Sequence, residues 1–226
     1  MSYAIAIDGP AGAGKSTIAK ILAKELGLIY VDTGALYRAL GFAMLSRNID
    51  PADADAVVPA LEGLQVSLEY RQGEQRVLLC GEDISDRIRT PEVSMAASRV
   101  SAIPAVRAFL LQLQRDMAAT QSVIMDGRDI GTTILPNAQV KIFLTASPEA
   151  RAMRRYLELQ EKGIATTYEE VLEDMNRRDY EDTHREISPL RQAEDAVLAD
   201  TGELDLEQSV ALLKSIVNER LAAAEG

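Results

Sequence analysis

The stretch Gly9-Pro10-Ala11-Gly12-Ala13-Gly14-Lys15-Ser16 has the spacing G-x-x-x-x-G-K-[ST], and Thr17 continues it. Glycines at these intervals let the backbone curl round a phosphate, while the first amides of the following helix point at the same group. Lys15 brings a positive point charge to the outer phosphates of a nucleoside triphosphate. The Ser16 hydroxyl is of the kind that ligates the accompanying Mg2+. Three further constellations carry chemistry. Asp32-Thr33-Gly34-Ala35-Leu36-Tyr37-Arg38 sets a hydroxyl and a guanidinium five positions apart. Both could face a ligand; the rival reading is a capping Asp or Thr followed by a surface arginine. Asp126-Gly127-Arg128-Asp129 follows the apolar run Val123-Ile124-Met125. A strand-end carboxylate beside a phosphate loop suits Mg2+, directly or through water, and it would leave Arg128 and Asp129 towards an acceptor. Arg178, Asp182 and Arg185 stand at i, i+4 and i+7, on one helical face if the helix continues that far. Plain salt bridging is the alternative there. His184, the only histidine, has no partner by spacing and reads as a surface residue.

Charge narrows the class of ligand. The net charge is −11, which disfavours polymeric nucleic acid. Yet arginines number 18 against 6 lysines, and seven arginines fall between 151 and 191: Arg151, Arg154, Arg155, Arg177, Arg178, Arg185 and Arg191. Such a cluster in an acidic chain suits a small, multiply charged anion in a cleft, because the guanidinium fork matches phosphate oxygens in pairs. Solvated helix faces paired with Glu and Asp are the competing account.

These residues need elements to hold them. Ala4–Ile7 is a short apolar run fit for a buried parallel strand, and Ile18, Ile21, Leu22 and Leu26 then recur at helical spacing, with Gly27 where a left-handed cap is wanted. Further runs at 29–31, 123–125, 140–144 and 196–199 complete five short strands, most of them entered from helical segments. That alternation predicts an α/β fold, a parallel sheet covered by helices on both faces, with ligands beyond the carboxyl ends of the strands. Two long segments exceed a minimal crossover. In the first, 64–70 and 76–80 read as antiparallel strands joined by Arg71-Gln72-Gly73-Glu74-Gln75, with Cys80 a small apolar strand residue. Thr90-Pro91 then caps one helix and Pro104 opens or kinks the next. In the second, Ser147-Pro148-Glu149 starts a helix that runs to about Lys162 and stops at Gly163, and a second helix spans 168–180. This helical hairpin is either a movable lid or a static pair.

The 226 residues suggest one domain, and no run approaches 18 uninterrupted apolar residues. The N-terminal run leads straight into the phosphate loop, unlike a secretion signal. The single cysteine allows no internal disulfide, which fits a reducing cytoplasm. A cytoplasmic monomer acting on small molecules, with no membrane partner, is the expectation.

Ile7 to Thr17, Asp32 to Arg38, Asp126-Gly127-Arg128-Asp129-Ile130-Gly131-Thr132, Val140 to Ala146 and 178–190 together resemble the bacterial cytidylate kinases, from about residue 4 to 215. The loop alone is generic; its combination with D-T-G-A-x-Y-R and D-G-R-D-I-G-T is specific. The resemblance implies transfer of the ATP γ-phosphoryl group to CMP or dCMP, with Mg2+. It implies a three-layer P-loop fold whose core is about 1–40, 119–150 and 191–226, with an inserted monophosphate-binding lobe at about 41–118 and a helical lid at about 151–190. It assigns Gly9, Pro10, Ala11, Gly12, Ala13, Gly14, Lys15, Ser16 and Thr17 to ATP, and Ser16 and Asp126 to the metal. Thr33, Arg38 and Arg128 fall to the acceptor phosphate and its surroundings, and Ser98, Arg107 and Asp129 to cytosine. Arg178 and Asp182 fall to the ribose, Arg185 to base or phosphate, and Arg151, Arg154 and Arg155 to the ATP phosphates. Thr33 stands where serine is also common, and Ser16 where some members have glycine. Kinases acting on UMP, dTMP or shikimate, a GTP-binding switch and a non-catalytic nucleotide sensor compete. The arginine pattern argues against the first. Asn176-Arg177-Arg178-Asp179 is no guanine motif, and a sensor predicts damage to Lys15, Ser16 or the lid arginines that is absent here.

Overall fold

The computed structural model describes residues 3–71 and 74–225. Two compact units emerge, one made of 1–30 and 121–226, the other of 31–120.

The first unit is built on parallel pairing. Strand β1 (Ala4–Asp8) leads through the loop into helix α1 (Lys15–Leu26), which ends as expected at Gly27 (φ 67°), whose N–H donates to Ala23 O. Strand β2 (Ile29–Asp32) contains the boundary between the units. Numbering along the chain, the second unit supplies β3 to β5, and the first resumes with β6 (Val123–Gly127), β7 (Val140–Thr145) and β8 (Val197–Asp200). The five-stranded sheet has the order β2-β6-β1-β7-β8. Asp8 lies opposite Gly127 on one side and Phe143 on the other, so the ends of β1, β6 and β7 are level where the phosphate loop begins. Ile5, Ile7, Ile124, Ile142 and Leu144 are buried from both faces, with Ile18 and Leu22 of α1 packed on them. Each such side chain contributes roughly 1.5–3 kcal/mol relative to exposure. Asp126 and Gly127 are the last residues of β6 rather than residues beyond it.

Helix α6 (Pro148–Glu161) is capped by Ser147, whose hydroxyl accepts from Ala150 N, and Gly163 (φ 68°) follows its end. Helix α7 (Tyr168–His184) starts in a capping box formed by Thr167 and Glu170. It outruns the predicted end at Tyr180 but stops before Arg185, whose backbone is extended (φ −63°, ψ 144°). Arg185 therefore does not continue the helical stripe of Arg178 and Asp182. The chain folds back instead: Leu190 N donates to Asp182 O, and Arg185 Nε to Ser188 O. Helix α8 (Leu206–Glu225) closes the unit, burying Leu213 and Val217.

The second unit runs through α2 (Thr33–Ser46), α3 (Ala54–Ala60), β3 (Val66–Arg71), β4 (Glu74–Leu79), β5 (Glu82–Asp83), α4 (Pro91–Ser101) and α5 (Pro104–Thr120). Strands β3 and β4 form the expected antiparallel hairpin, pairing Val66 with Leu79 through Arg71 with Glu74. Gln72 and Gly73 of its predicted turn lie outside the described residues. The short β5, unforeseen from sequence, makes this a three-stranded sheet. Cys80 is not a buried strand residue. It is exposed at φ 50°, and with Gly81 at φ 85° it makes the two-residue turn between β4 and β5. Two consecutive positive φ values match the right-handed twist of the flanking strands, and that local demand outweighs the apolar character of the thiol.

No single helix among the described residues is long and apolar enough to cross a membrane. Helices α4 and α5 pass that test only as a pair bent by 99°. Their apolar side chains, Val93, Val100, Val106 and Leu110, lie in the core of the second unit.

Candidate functional site

In the first unit the phosphate loop curls through positive φ at Gly9 (152°), Gly12 (74°) and Gly14 (88°). A Cβ on Gly9 would sit 2.0 Å from Leu144 O, so no side chain fits there. Gly14 caps α1 with no side-chain hydrogen bond, which leaves the first-turn amides to an anion. Lys15 is buried, and its Nζ donates to Gly9 O and Pro10 O at 2.7 Å each. Burial, reinforced by the charge of Arg128, lowers its pKa to about 7.

Ser16 Oγ donates to Asp126 Oδ2 at 2.8 Å, and Tyr30 Oη to Asp126 Oδ1 at 2.8 Å. The chemistry of this donor set fits Mg2+: a hydroxyl and a carboxylate, hard oxygens side by side at the end of β6. Mg2+ commonly takes one or two protein oxygens, and water and substrate phosphates fill its remaining positions.

Beyond Gly127 the charged groups alternate. Arg128 Nε donates to Asp182 Oδ2 at 2.7 Å. Arg185 lies 3.5 Å from Asp129 Oδ1 and 3.8 Å from Asp182 Oδ1. The structure thus brings Arg128, Asp129, Asp182 and Arg185 into one network despite the early end of α7. Burial alone would raise the Asp182 carboxyl, but Arg128, with Arg185 and Arg178, holds it below the usual carboxylate range. Arg178 differs: burial, then the charge of Arg128, with Arg155 adding to it, pushes its pKa down despite Asp174 and Asp182. Arg128 is different again: against the effect of burial, Asp182, with Asp126 and Asp179, raises it above its ordinary value.

The three expected lid arginines of α6 have distinct surroundings. Arg151 is 2% exposed, donates to Ala11 O and Ala146 O at 2.9 Å each, and forks onto the Asp179 carboxylate of α7. Arg154 donates to Thr201 O, and Arg155 pairs with Glu158 at 2.7 Å. A cleft of about 450 Å³ lies along this part of the loop, lined by Pro10, Thr145, Ser147, Arg151, Asp179 and Asp200 among others.

In the second unit Asp32 caps α2, accepting from Ala35 N at 3.0 Å, and takes Arg38 Nη2 at 2.7 Å. The capping part of the rival reading therefore holds, since Asp32 is the cap, while Arg38 is held by it rather than standing free at the surface. Arg38 Nε is buried without a hydrogen-bond partner. Thr33 is buried at the first position of α2. Arg107 is buried too, donating to Ser101 O at 3.2 Å, with its guanidinium 5.5 Å from the Tyr37 ring centroid. Ser98 lies one turn earlier on α4, its carbonyl accepting from Ser101 Oγ at 2.7 Å.

Three residues at the site escaped sequence reasoning. Tyr30 and Asp179 look unremarkable in the chain, because their partners are 96 and 28 residues away. Asp8 had a signal: a carboxylate closing an apolar strand. It is buried, which pushes its pKa up to about 6 against the opposing hydrogen bonds from Gly131 N and Ile130 N. His184, by contrast, is exposed as expected, stacked on Tyr180 with ring centroids 4.0 Å apart.

Comparison with known proteins fits this arrangement. The family profile described as cytidylate kinase matches residues 5–219. A protein of Caldicellulosiruptor bescii named cytidylate kinase is 52% identical over 204 residues, covering 90% of each chain. One of Mycobacterium avium, likewise named, is 49% identical over 221 residues, covering 97% of each. Among solved structures, an uncharacterized protein from Eubacterium ventriosum shares the fold at a TM-score of 0.55 and 13% identity, covering 97% of this chain and 99% of its own. The match spans the phosphate loop, the Asp126–Asp129 segment and the arginine-bearing helices alike: the chain belongs to the cytidylate kinase family.

Proposed function

We infer that this chain transfers the γ-phosphoryl group of ATP to CMP or dCMP, giving the diphosphate. Family membership supports the reaction. The observation that carries it is Arg178, set among the arginine-bearing helices beside the Arg128–Asp182 pair, where burial and the charges of Arg128 and Arg155 outweigh Asp174 and Asp182. A polyanionic ligand would relieve that repulsion.

The acceptor is an ionised phosphate oxygen, so it needs no strong general base. Alignment and neutralisation of charge on the transferring group do the work. In this reading Gly9 to Thr17 hold ATP, and Lys15 leaves Gly9 O and Pro10 O to meet its outer phosphates. Ser16 and Asp126 would hold Mg2+, which supplies positive charge to the phosphates when bound. Arg128 aligns the acceptor phosphate, with Thr33 and Arg38. Ser98, Arg107 and Asp129 read cytosine, whose amino group donates where uracil presents a carbonyl; an acceptor left facing that carbonyl is penalised. Arg178 and Asp182 take the ribose, and Arg185 the base or phosphate. Helices α6 and α7 act as the lid and 41–118 as the monophosphate lobe. Lid closure excludes water and so prevents hydrolysis of ATP.

Release of ADP with CMP, dCMP, UMP, AMP and dTMP tests this. CMP and dCMP should turn over fastest. No turnover with CMP, or faster turnover with UMP, would sink the reading.

A further inference from the structure

Asp8 is buried at the end of β1 and has no part in the transfer as set out above, yet both its oxygens are committed. Oδ1 accepts from Ile130 N and Oδ2 from Gly131 N, each at 2.7 Å. Those amides open a single π-helical turn, Ile130–Ile134, which begins directly after Arg128 and Asp129. Asp129 stands at the cap position of that turn but makes no capping bond with its own side chain. Asp8 provides the missing cap from 122 residues away. The approach is close: a Cβ on Gly131 would lie 3.4 Å from Asp8 Oδ2 and 3.1 Å from Lys141 Cδ. Lys141 does not compete for the carboxylate, since its ammonium is held by Asp195 and Pro136 O. Asp129 and Lys15 act on Asp8 with opposite signs.

We propose that Asp8 is a positioning residue for the acceptor: by capping the turn at Ile130 and Gly131 it fixes where Arg128 and Asp129 point. The proposal rests on the assignment of Arg128 and Asp129 to the acceptor. Its physical content is a shared anchor. Gly9 follows Asp8 directly, so one carboxylate ties the start of the donor loop to the turn that carries the acceptor groups. In-line transfer depends on that alignment, and an error of about 1 Å can lower the rate on the order of 10²-fold.

The test compares the intact chain with Asp8→Asn, Asp8→Glu and Gly131→Ala. Asp8→Asn keeps the volume but turns an amino group towards one of the two amides. It should lower kcat/KM for CMP by about 10²-fold while KM for ATP stays within about twofold. Asp8→Glu, with both oxygens retained, should recover part of the loss. Adding Arg128→Ala to Asp8→Asn should cost less than Arg128→Ala costs alone, since both act through one group. Amide exchange at Ile130 and Gly131 should quicken in Asp8→Asn while the β1 amides keep their rates. A stability defect alone would lower the active fraction and leave both KM values and the exchange pattern unmoved. Unchanged kcat/KM for CMP, a KM for ATP raised as much as that for CMP, or full additivity with Arg128→Ala would overturn the proposal. If Asp8→Asn does not fold, Gly131→Ala must show the same acceptor-selective loss, and normal kinetics there would overturn it equally. Failure of the unaltered protein to use CMP would refute the parent reading, and unchanged exchange at Ile130 and Gly131 would refute the anchor independently.

Discussion

Arg128 and Asp182 are joined by a 2.7 Å hydrogen bond from Nε to Oδ2, with side-chain exposures of 24% and 10%. The pair fixes the direction of the Arg128 guanidinium, whose Nη1 lies 3.5 Å from Gly127 O. Arg128→Ala should therefore lower kcat by roughly 10³-fold or more, the scale on which an arginine serves phosphoryl transfer. Partial exposure discounts the structural cost to about 1–2 kcal/mol, below the 3–5 kcal/mol typical of fully buried pairs. Steady-state kinetics with a thermal melt separate the two effects, and near-normal turnover would remove Arg128 from the acceptor site. The pair also has a pH signature. Asp182 has a depressed pKa, so its contribution to stability is present above the ordinary carboxyl value near 3.8 and is lost as the pH falls through the lower, folded value. Asp182→Asn should flatten the acid limb of the melting curve.

Both Asp126 oxygens are occupied, one by Ser16 and one by Tyr30. That arrangement presents the carboxylate to a cation in a fixed direction. Asp126→Asn should raise the Mg2+ concentration for half-maximal activity by about 10–100-fold, and Tyr30→Phe should act in the same direction by less. Activity measured against free Mg2+ reads both. A Mg2+ curve unmoved in Asp126→Asn would mean that the pair is only a strand-end brace.

Lys15 releases a proton readily in the ligand-free fold, its pKa having fallen from 10.5 to about 7. Folding therefore costs least when Lys15 is neutral, and this group makes the ligand-free protein more stable as the pH rises from about 7 towards 10. ATP phosphates reverse the shift by placing negative charge against the ammonium. At pH 8, binding should take up a substantial fraction of a proton, to a limit of about one per site. Calorimetry in two buffers of different ionisation enthalpy measures it. Equal binding enthalpies in both would show that Lys15 keeps its charge in the free loop.

The five strands and the loop were legible because each is a local pattern: a short apolar run, a turn residue, a helical period. The caps at Gly27, Thr90 and Ser147 were legible for the same reason. Asp126, Arg128 and Asp182 could be singled out as residue types at strand and helix ends. Their pairing could not, because it depends on how segments 54 residues apart meet. The turn that Asp8 caps was hidden similarly: its amides are uncapped locally, and nothing near Ile130 in the chain reveals a partner 122 residues earlier. Arg185 and Cys80 were misplaced by extending a periodicity past its end. In each case the backbone departs from the regular pattern, at Arg185 to turn back over α7 and at Cys80 to make a tight hairpin.

Arg151 offers the sharpest choice between two roles for α6. Its side chain is 3% exposed and tied in three directions, to Ala11 O in the phosphate loop, to Ala146 O, and to Asp179 on α7. A guanidinium can serve all three at once through its planar fork, whereas a lysine has a single nitrogen at the end of a flexible stem. If the strut matters, Arg151→Lys should raise KM for ATP by about tenfold, because the loop loses its brace at Ala11, and should lower the melting temperature. Asp179→Asn, which removes the carboxylate that Arg151 forks onto, should reproduce part of both effects by leaving the buried Arg151 charge less compensated, at about 2 kcal/mol. If Arg151 instead acts only by reaching ATP phosphates on closure, Asp179→Asn should leave KM for ATP unchanged or lower it, since it frees the guanidinium. The sign of the Asp179→Asn effect on KM for ATP decides between a brace and a free phosphate-binding arm.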